Sequence, residues 1–305
     1  MENYIKNRYD FVFLFDVKDG NPNGDPDMDN QPRIDFETRE GLVSDVCIKR
    51  KVRNYVQLKV EAGELEPSRY NIFIRQGNIL NNIINEEAKN AGDDEKSGRE
   101  SMCDKYFDIR TFGAVLSTGD KSSKDDGESS DSSENKKKKG KGNKRGLGVV
   151  RGPVQFVFSR SIDAIDSRTH SLTRCCITDE KDADKDNTLG NKSTVIDGLY
   201  LIHGYVSAFD GEKCLFTQED LKLLWEALVN AFEHDHAAAR GEMNARALIV
   251  FKHESKLGNA RSAQLFDLVK TKKKDGIEFP RKFEDYEVTI DKSDLPTGVT
   301  IEEMI

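Results

Sequence analysis

YDFVFLFDV, residues 9–17, is the stretch that decides the fold. It is a nearly continuous apolar and aromatic run of strand length, which is typical of a strand buried on both faces of a sheet. A helix is predicted next, over residues 42–59, because a step of about 100° per residue places Ile48, Val52 and Val56 on one apolar face. A buried strand followed by an amphipathic helix therefore opens the predicted fold.

The second half of the chain continues this alternation. Strands are predicted over residues 154–159, 199–209 and 247–251, and a helix over residues 217–240. Thr217 and Asp220 have capping-box spacing at the start of that helix. The resulting order is βαββαβ, which is that of a ferredoxin-like α+β fold. Because this fold serves RNA-binding modules, enzymes and metal carriers alike, it does not by itself define a function.

The polar residues are concentrated in one tract. Residues 119–148, GDKSSKDDGESSDSSENKKKKGKGNKRGLG, have no apolar side chain before Leu147, a composition typical of a disordered segment. The apolar patterns lie on either side of this tract. We therefore predict one core interrupted by an insertion, and not two domains joined end to end.

Composition excludes several classes of protein. A net charge of −8 argues against a protein that covers nucleic acid with its whole surface, although it leaves room for a local basic stripe. No apolar run is long enough for a signal peptide or a membrane span, so we expect a cytoplasmic protein. The five cysteines form no CxxC pair and are interpreted as packing residues. Nucleophile-elbow, phosphate-loop and dinucleotide motifs are all lacking from the sequence.

Four blocks of sequence carry a resemblance to a known family. They are RYDFVFLFDVKDGNPNGDPDMDNQPRIDFETREGLVSDVCIKRKVRNYV, DIRTFGAVLS, RGPVQFVFSRSID and FEHDHAAARGEMNARALIVFKHESKLGNA. In this order they resemble the backbone subunit of type I-C CRISPR Cascade complexes, the Csd-two branch of the Cas-seven family in the RAMP superfamily. The similarity runs with gaps over residues 9–268.

The resemblance implies a non-catalytic subunit that binds crRNA and assembles in several copies along one guide. Its expected partners are the crRNA, the target DNA strand, further copies of itself and other Cascade subunits, with no cofactor, no metal and no membrane. It also implies a hand-like shape. The palm would consist of a modified RNA-recognition domain, residues 1–64 and 149–305, with a finger insertion at 65–148 and a thumb hairpin at about 165–194.

Candidate RNA contacts follow from the resemblance together with local charge. They are Asn23, Arg33, Lys49, Arg50, Arg53, Arg174, Lys192 and Lys256. Lys49, Arg50 and Arg53 can present a fan of cations beside the apolar face of the first helix, which suits closely spaced phosphates. The alternative is a solvated helix edge. Lys51 lies on the opposite side of the helix from Arg53, so its replacement is expected to affect RNA binding much less.

The thumb carries apolar side chains that could displace a base. The charges of the thumb are nearly balanced, which suggests that its shape acts on the RNA more than its charge does. The apolar side chains available as wedges are Leu172, Ile177 and Leu189.

A calcium site is the first alternative for the loop after the first strand. Asp25, Asp27 and Asp29 repeat the DxDxD opening of a calcium-binding loop. Asn30 stands where the sharp turn needs glycine, and Phe36 stands at the position of the bidentate glutamate. The pattern therefore favours a turn-forming segment over a metal site.

The main enzymatic alternative is a metal-dependent endoribonuclease that cuts target RNA, as backbone subunits of type III complexes do. Asp35 lies in the corresponding region, but one carboxylate without a charge-stabilising partner is weak support. A third possibility is a plain RNA-binding protein with one site. His234 and His236 are two residues apart, and on a helix they could not share a metal.

Overall fold

The computed structural model describes residues 3–92, 94–117, 146–177, 180–182 and 188–305. Residues 118–145, which contain most of the tract for which disorder is predicted, lie outside the described residues. In the described part the helices are α1 (Asp45–Glu61), α2 (Pro67–Tyr70), α3 (Leu80–Asn90), α4 (Glu95–Lys105), α5 (Phe107–Phe112), α6 (Ala208–Lys213), α7 (Gln218–Val229) and α8 (Ser262–Phe266). The strands there are β1 (Tyr9–Gly20), β2 (Gly24–Asp25), β3 (Gln31–Pro32), β4 (Glu40–Val43), β5 (Gly113–Leu116), β6 (Gly148–Arg151), β7 (Val154–Phe156), β8 (Ser159–Ala164), β9 (Ser167–Arg174), β10 (Thr188–Val206), β11 (Glu242–His253), β12 (Val269–Lys273), β13 (Tyr286–Ile290) and β14 (Val299–Glu303).

β1 lies inside an eight-stranded antiparallel sheet with the order β14-β11-β1-β10-β8-β4. β7 and β9 also pair with β10. Phe13 of β1 lies opposite Ile202 of β10 and Leu248 of β11. Residues 9–17 are all buried, which confirms the prediction of a strand covered on both faces.

The first face of this sheet packs against α1 and α7. Phe11 makes an edge contact with Trp225 of α7, with ring centroids 5.0 Å apart. Gly204 stands opposite Phe11 on β10, and a Cβ there would come within 2.0 Å of the ring. Val52 of α1 and Leu224 of α7 belong to the same apolar cluster. The burial of the two helices on one face accounts for most of the core.

The second face is covered by the C-terminal part of the chain. Val12 and Leu14 of β1 pack with Leu265 of α8, and the same cluster includes Val269 of β12 and Tyr286 of β13. β12 and β13 form a separate two-stranded sheet over this face. Around β1, the protein's own residues therefore occupy this face.

A third apolar cluster lies apart from the main sheet. It contains side chains of α3, α4 and the β5–β6 hairpin, among them Ile84, Met102, Leu116 and Leu147. The hairpin pairs Leu116 with Gly148, so the described residues on either side of residues 118–145 lie close together.

Several predicted elements have different bounds in the structure, among them the strand predicted over residues 247–251, which extends from Glu242 to His253. The helix predicted over residues 217–240 ends at Val229, because Asn230 caps it and the following segment turns back toward α1. The strand predicted over residues 154–159 is divided into β7 and β8. The strand predicted over residues 199–209 begins earlier, at Thr188, and ends at Val206.

Candidate nucleic-acid interface

The loop before α1 is fastened to the start of that helix by Asn23. Its Oδ1 accepts hydrogen bonds from the backbone N–H of Ser44 at 2.9 Å and from the Ser44 hydroxyl at 2.8 Å. Ser44 is the N-cap residue of α1. The Asn23 oxygen therefore positions the loop on the helix, and the side chain is half-buried.

Arg33 closes the same loop from the other end. Its guanidinium forms an ion pair with Asp25 at 3.2 Å, and its backbone N–H donates to the Asn23 carbonyl at 3.3 Å. The Arg33 Nε is buried and has no hydrogen-bond partner among the described residues. Asp25 is thus engaged with Arg33 and with the backbone N–H of Asp27.

The three cations predicted on α1 do not share one environment. Lys49 pairs with Asp45 at 2.9 Å, and Arg53 donates to Asp108 at 2.8 Å. Both side chains are only 12% exposed, and both charges lie over the ring of Phe112 at the end of α5. Arg50 is exposed, and no ion pair to it is found within the described ranges. The structure therefore places Lys49 and Arg53 at the contact between α1 and α5 and turns Arg50 toward solvent.

Lys51 has a structural position that its sequence did not predict. The side chain is 2% exposed and forms an ion pair with Asp235, which Arg240 contacts from 2.6 Å. Burial lowers the pKa of Lys51, against the opposing effect of the Asp235 hydrogen bond. Removal of Lys51 would leave a largely buried Asp235 with one partner fewer, so Lys51→Ala is expected to lower stability. That Lys51 matters less than Arg53 for RNA binding stays a prediction.

Two buried ion pairs fasten the α2–α5 region to α1 and α7. The Asp108 carboxylate accepts from Arg53 of α1 and from the backbone N–H groups of Phe73 and Ile74, at 2.8 Å and 3.0 Å. In the second ion pair, Arg110 of α5 donates to both carboxylate oxygens of Asp220 of α7, at 3.0 Å and 2.8 Å.

Arg110 and Asp220 have no exposed surface. The sequence reasoning missed Asp108, Arg110 and Asp220 as a set. The available signal was the DIR triplet in the second block of resemblance, which places an acid and a base two residues apart.

A long hairpin formed by β9 and the first part of β10 carries two of the candidates. It pairs Ser167 with Val195 at its base and Arg174 with Thr188 at its end. Every side chain of β9 after Ser167 is exposed. Arg174 Nε donates to the Cys176 carbonyl at 3.1 Å, and Lys192 lies opposite His170.

The hairpin also exposes apolar side chains. Leu172 is 51% exposed and Leu189 is 73% exposed, whereas Ile177 is half-buried. Residues 178–179 and 183–187 of the predicted thumb lie outside the described part of the chain.

Lys256 lies on a loop that is held in place by buried polar residues. It forms an ion pair with Glu212 and lies 4.6 Å over the ring of Phe209. At the base of this loop His253 Nε2 bonds Asp10 at 2.7 Å, and both side chains are fully buried. The backbone N–H of Asn259 donates to His253 Nδ1, so Nε2 carries the ring hydrogen of the neutral imidazole.

Asp35, the residue of the nuclease alternative, stabilises a turn. Its carboxylate accepts from the backbone N–H groups of Glu37 and Thr38 and pairs with Arg160 at 2.9 Å. The Arg160 hydrogen bond, followed by these backbone bonds, holds the pKa of Asp35 below its usual value. No group of three or more His, Cys, Asp or Glu side chains suited to a metal ion is found among the described residues.

The structure defines an α+β protein with a central antiparallel sheet, cation-bearing α1 and a projecting hairpin. A family model described as CRISPR-associated protein Cas7 matches residues 7–291, so the chain belongs to the Cas7 family. A Cas7 protein of Haloferax volcanii is 26% identical over 279 residues, which cover 86% of this chain and 75% of that protein.

Two solved structures are similar at lower identity. A chain of a type III-B Cmr-beta complex bound to cognate target RNA has a TM-score of 0.41 and 10% identity, with 80% of this chain and 61% of that chain covered. A chain of a CRISPR RNA-guided surveillance complex, pre-nicking, has a TM-score of 0.46 and 12% identity, with 80% and 75% covered. Among the described residues, no helix is both long enough and apolar enough to span a bilayer.

Proposed function

We propose that this protein is the non-catalytic crRNA-binding backbone subunit of a type I-C Cascade complex in the cytoplasm. Several copies line one guide RNA and present its bases for pairing with a target DNA strand, so that base pairing reads the sequence and the protein holds the backbone. Membership of the Cas7 family supports this role. The four blocks of sequence resemblance support the type I-C assignment.

The strand order supports a ferredoxin-like palm. β11, β1, β10 and β7 follow one another in the sheet, and α1 and α7 pack on one face. This is the order that a βαββαβ unit has when its first strand pairs with its third and fourth. In this proposal the region 65–148 is the finger and the β9–β10 hairpin is the thumb.

The observation that carries the proposal is the projecting hairpin with its exposed leucines. Leu172 and Leu189 contribute nothing to the apolar clusters of the described residues, although they lie on a regular, hydrogen-bonded ladder. Exposed apolar side chains on a rigid arm suit a wedge that enters a nucleic-acid strand and unstacks a base.

The candidate contacts take different roles in this proposal. Arg50 contacts a guide phosphate directly, whereas Lys49 and Arg53 hold α1 against α5. The remaining candidates are proposed to contact the RNA backbone from the loop, the hairpin and the C-terminal corner. They are Asn23, Arg33, Arg174, Lys192 and Lys256.

The stoichiometry of the complex with RNA tests the proposal. Protein co-expressed with guides of increasing length should give complexes whose mass rises in whole-subunit steps. A protein with one RNA site would bind one copy per RNA however long the RNA is, and that result would overturn the proposal.

The non-catalytic part of the proposal has its own experiment. The assembled complex is incubated with labelled complementary RNA and Mg²⁺ or Mn²⁺, and we expect the RNA to remain intact. Asp35→Ala should destabilise the turn that Asp35 forms, because Asp35 bonds Arg160 and two backbone N–H groups. The RNA should remain intact with this variant as well. Metal-dependent cutting that disappears in Asp35→Ala would instead establish the endoribonuclease alternative.

A further inference from the structure

A tight turn between Asp35 and Glu40 exposes one aromatic side chain. Phe36 is 73% exposed, and it belongs to none of the apolar clusters of the described residues. It stands where a calcium loop needs glutamate, so the metal alternative gives it no role. A single exposed phenylalanine is common on protein surfaces, and its surroundings therefore have to show whether it has a task.

The backbone of this turn is fastened by hydrogen bonds across it. The Asp35 N–H donates to the Glu40 carbonyl at 2.8 Å, and the Arg39 N–H donates to the Asp35 carbonyl at 2.8 Å. Outside the turn, Arg160 bridges the carboxylates of Asp35 and Glu40, with both distances 2.9 Å. Phe36 is therefore carried by backbone that is already ordered, so binding through its ring costs little backbone entropy.

The turn connects two surfaces that are proposed to contact the guide. On one side, the Arg33 carbonyl accepts from the Leu42 N–H at 2.8 Å, and the Arg33 N–H donates to the Asn23 carbonyl at 3.3 Å. On the other side, the Ile165 N–H donates to the Arg39 carbonyl at 2.9 Å. Ile165 lies just before β9, at the start of the projecting hairpin. The turn with Phe36 therefore lies between the loop before α1 and the β9–β10 hairpin.

The surroundings of the ring favour a flat base over a protein surface. Glu37, Thr38 and Arg39 are all exposed, so the chain neighbours of Phe36 add no apolar surface that a protein partner could bury. Acidic and basic side chains around the turn are balanced, so a phosphate gains little there. They are Asp35, Glu37, Glu40, Arg33, Arg39 and Arg160. An aromatic ring, in contrast, can stack on any base, because each base has a π-face.

We propose that Phe36 stacks on one base of the guide RNA in each copy of the protein, at the start of the β9–β10 hairpin. The inference rests on the proposed function, because it takes the loop and the hairpin to lie on the guide. Stacking is tolerant of sequence, so this contact would hold a nucleotide without reading it. A subunit that leaves recognition to base pairing needs contacts of this kind.

Photo-crosslinking of the assembled complex tests the stacking directly. The full chain is bound to an oligonucleotide of iodouridine, irradiated, digested and mapped by mass spectrometry, because an iodinated base links on irradiation to an aromatic side chain stacked on it. We expect a nucleotide linked to Phe36, and the link should disappear in Phe36→Leu. An RNA-bound complex without a link at Phe36 would overturn the proposal.

Affinity for oligouridylate separates stacking from other uses of the side chain. Phe36→Trp should bind at least as tightly as the parent protein, whereas Phe36→Leu should bind about five-fold or more weakly, since leucine is apolar but lacks a π-face. The slope of log affinity against log salt should not change in either variant, because no phosphate contact is lost. Melting temperatures should match that of the parent within about 1 °C, because the side chain is exposed.

Phe279→Leu is the matched control, since Phe279 is 67% exposed after β12 and should be replaceable without loss of affinity. Failure of the parent protein to bind RNA would refute the proposed function and this inference together. Parental affinity of Phe36→Leu, in a protein that does bind RNA, would refute the stacking alone. Loss of assembly in Phe36→Ser but not in Phe36→Leu would show that the side chain contacts protein and not a base.

Discussion

Arg50 and Arg53 lie three residues apart on α1, and their surroundings give them opposite roles. Arg50 faces solvent, while Arg53 is 12% exposed and bound to a buried carboxylate. The sequence places both on one edge of the helix but cannot show that Asp108, 55 residues further along the chain, accepts from one of them. Residue spacing predicts which side a cation takes, and only the fold determines its partner.

Arg50→Ala should weaken guide binding without lowering stability. Loss of one phosphate contact should reduce the slope of log affinity against log salt by about 0.7 per subunit for a single strand. Affinity is measured by filter binding over a range of salt concentrations. Lys222→Ala on α7 is the matched control, since Lys222 is also an exposed helical cation. An unchanged salt slope in Arg50→Ala would exclude this helix as a phosphate contact.

Arg53→Ala should lower the stability of the free protein by about 3 kcal/mol, because the Asp108 carboxylate stays buried without its ion-pair partner. Unfolding in urea measures the change. In Arg53→Ala/Asp108→Ala the combined loss should be smaller than the sum of the two single losses, since the double variant leaves no unpaired charge. Strict additivity would mean that the two side chains do not interact.

Asp197 gives stability an unusual pH dependence. Burial, followed by the nearby charge of Asp16, raises the pKa of Asp197 to about 6. The folded state therefore disfavours the ionised form, so the contribution of this group is fully present below its unfolded pKa of about 4 and is lost as pH rises through about 6.

Asp197→Asn should therefore stabilise the protein at pH 7.5 and have little effect at pH 4. The gain should be about 1 kcal/mol, because solvent screens a half-buried group. Melting curves across this pH range test it. Asp275→Asn, which removes an exposed carboxylate after β12, is the control for net charge. A pH-independent effect of Asp197→Asn would contradict the assignment.

At the scale of elements, the pattern of apolar residues along the sequence predicts those helices and strands whose position depends on burying these residues. β1 was predicted from a run of apolar residues and α1 from apolar residues at helical spacing, and both are present with nearly the predicted bounds. The predicted capping box of α7 is present, with Thr217 and Asp220 bonded to each other in both directions. The end of α7 was not predictable, because Lys51 and Arg240 hold Asp235 in the segment that follows. Lys51 and Asp235 are 184 residues apart, and this separation hides their contact from the sequence.

The β9–β10 hairpin is a second element that the sequence pattern could not predict. Its residues have no core-facing pattern, so local burial could not predict it, and its expected position came from family resemblance. Leu172→Ser/Leu189→Ser should leave the melting temperature within about 1 °C, because both side chains are already exposed. Assembly on guide RNA should fall several-fold, as measured by the mass distribution of the complex.

Phe279→Ser, at an exposed apolar residue after β12, is the control for lost surface hydrophobicity. Equal assembly of the hairpin variant and the parent protein would show that the leucines do not enter the RNA. A large drop in melting temperature would show instead that the hairpin packs against the protein itself.

At the scale of the whole molecule, the strands on either side of residues 118–145 pair with each other. We therefore expect the fold to tolerate the loss of this insertion. Leu116 and Gly148 pair in the β5–β6 hairpin, so deletion of residues 122–144 leaves enough chain to join the two strands. The melting temperature should change by less than about 2 °C, because the deleted segment contains no apolar residue. Leu147→Ala is the contrasting variant and should cost about 2–4 kcal/mol, because Leu147 is buried in the third cluster. A deletion as damaging as Leu147→Ala would show that the segment supports the fold.

The length of β10 determines how far the β9–β10 hairpin extends from the central sheet. Its 19 residues form one strand, whose first part pairs with β9 and whose remainder pairs with β1 from Val195 to Val206. At about 3.3 Å per residue the projecting part reaches roughly 25 Å from the core. β10 runs without a break from Thr188 into the central sheet, so the direction of the arm follows that of the sheet. In the complex proposed above, successive copies would then carry arms of the same length, and the interval between those arms would be the same on every RNA sequence.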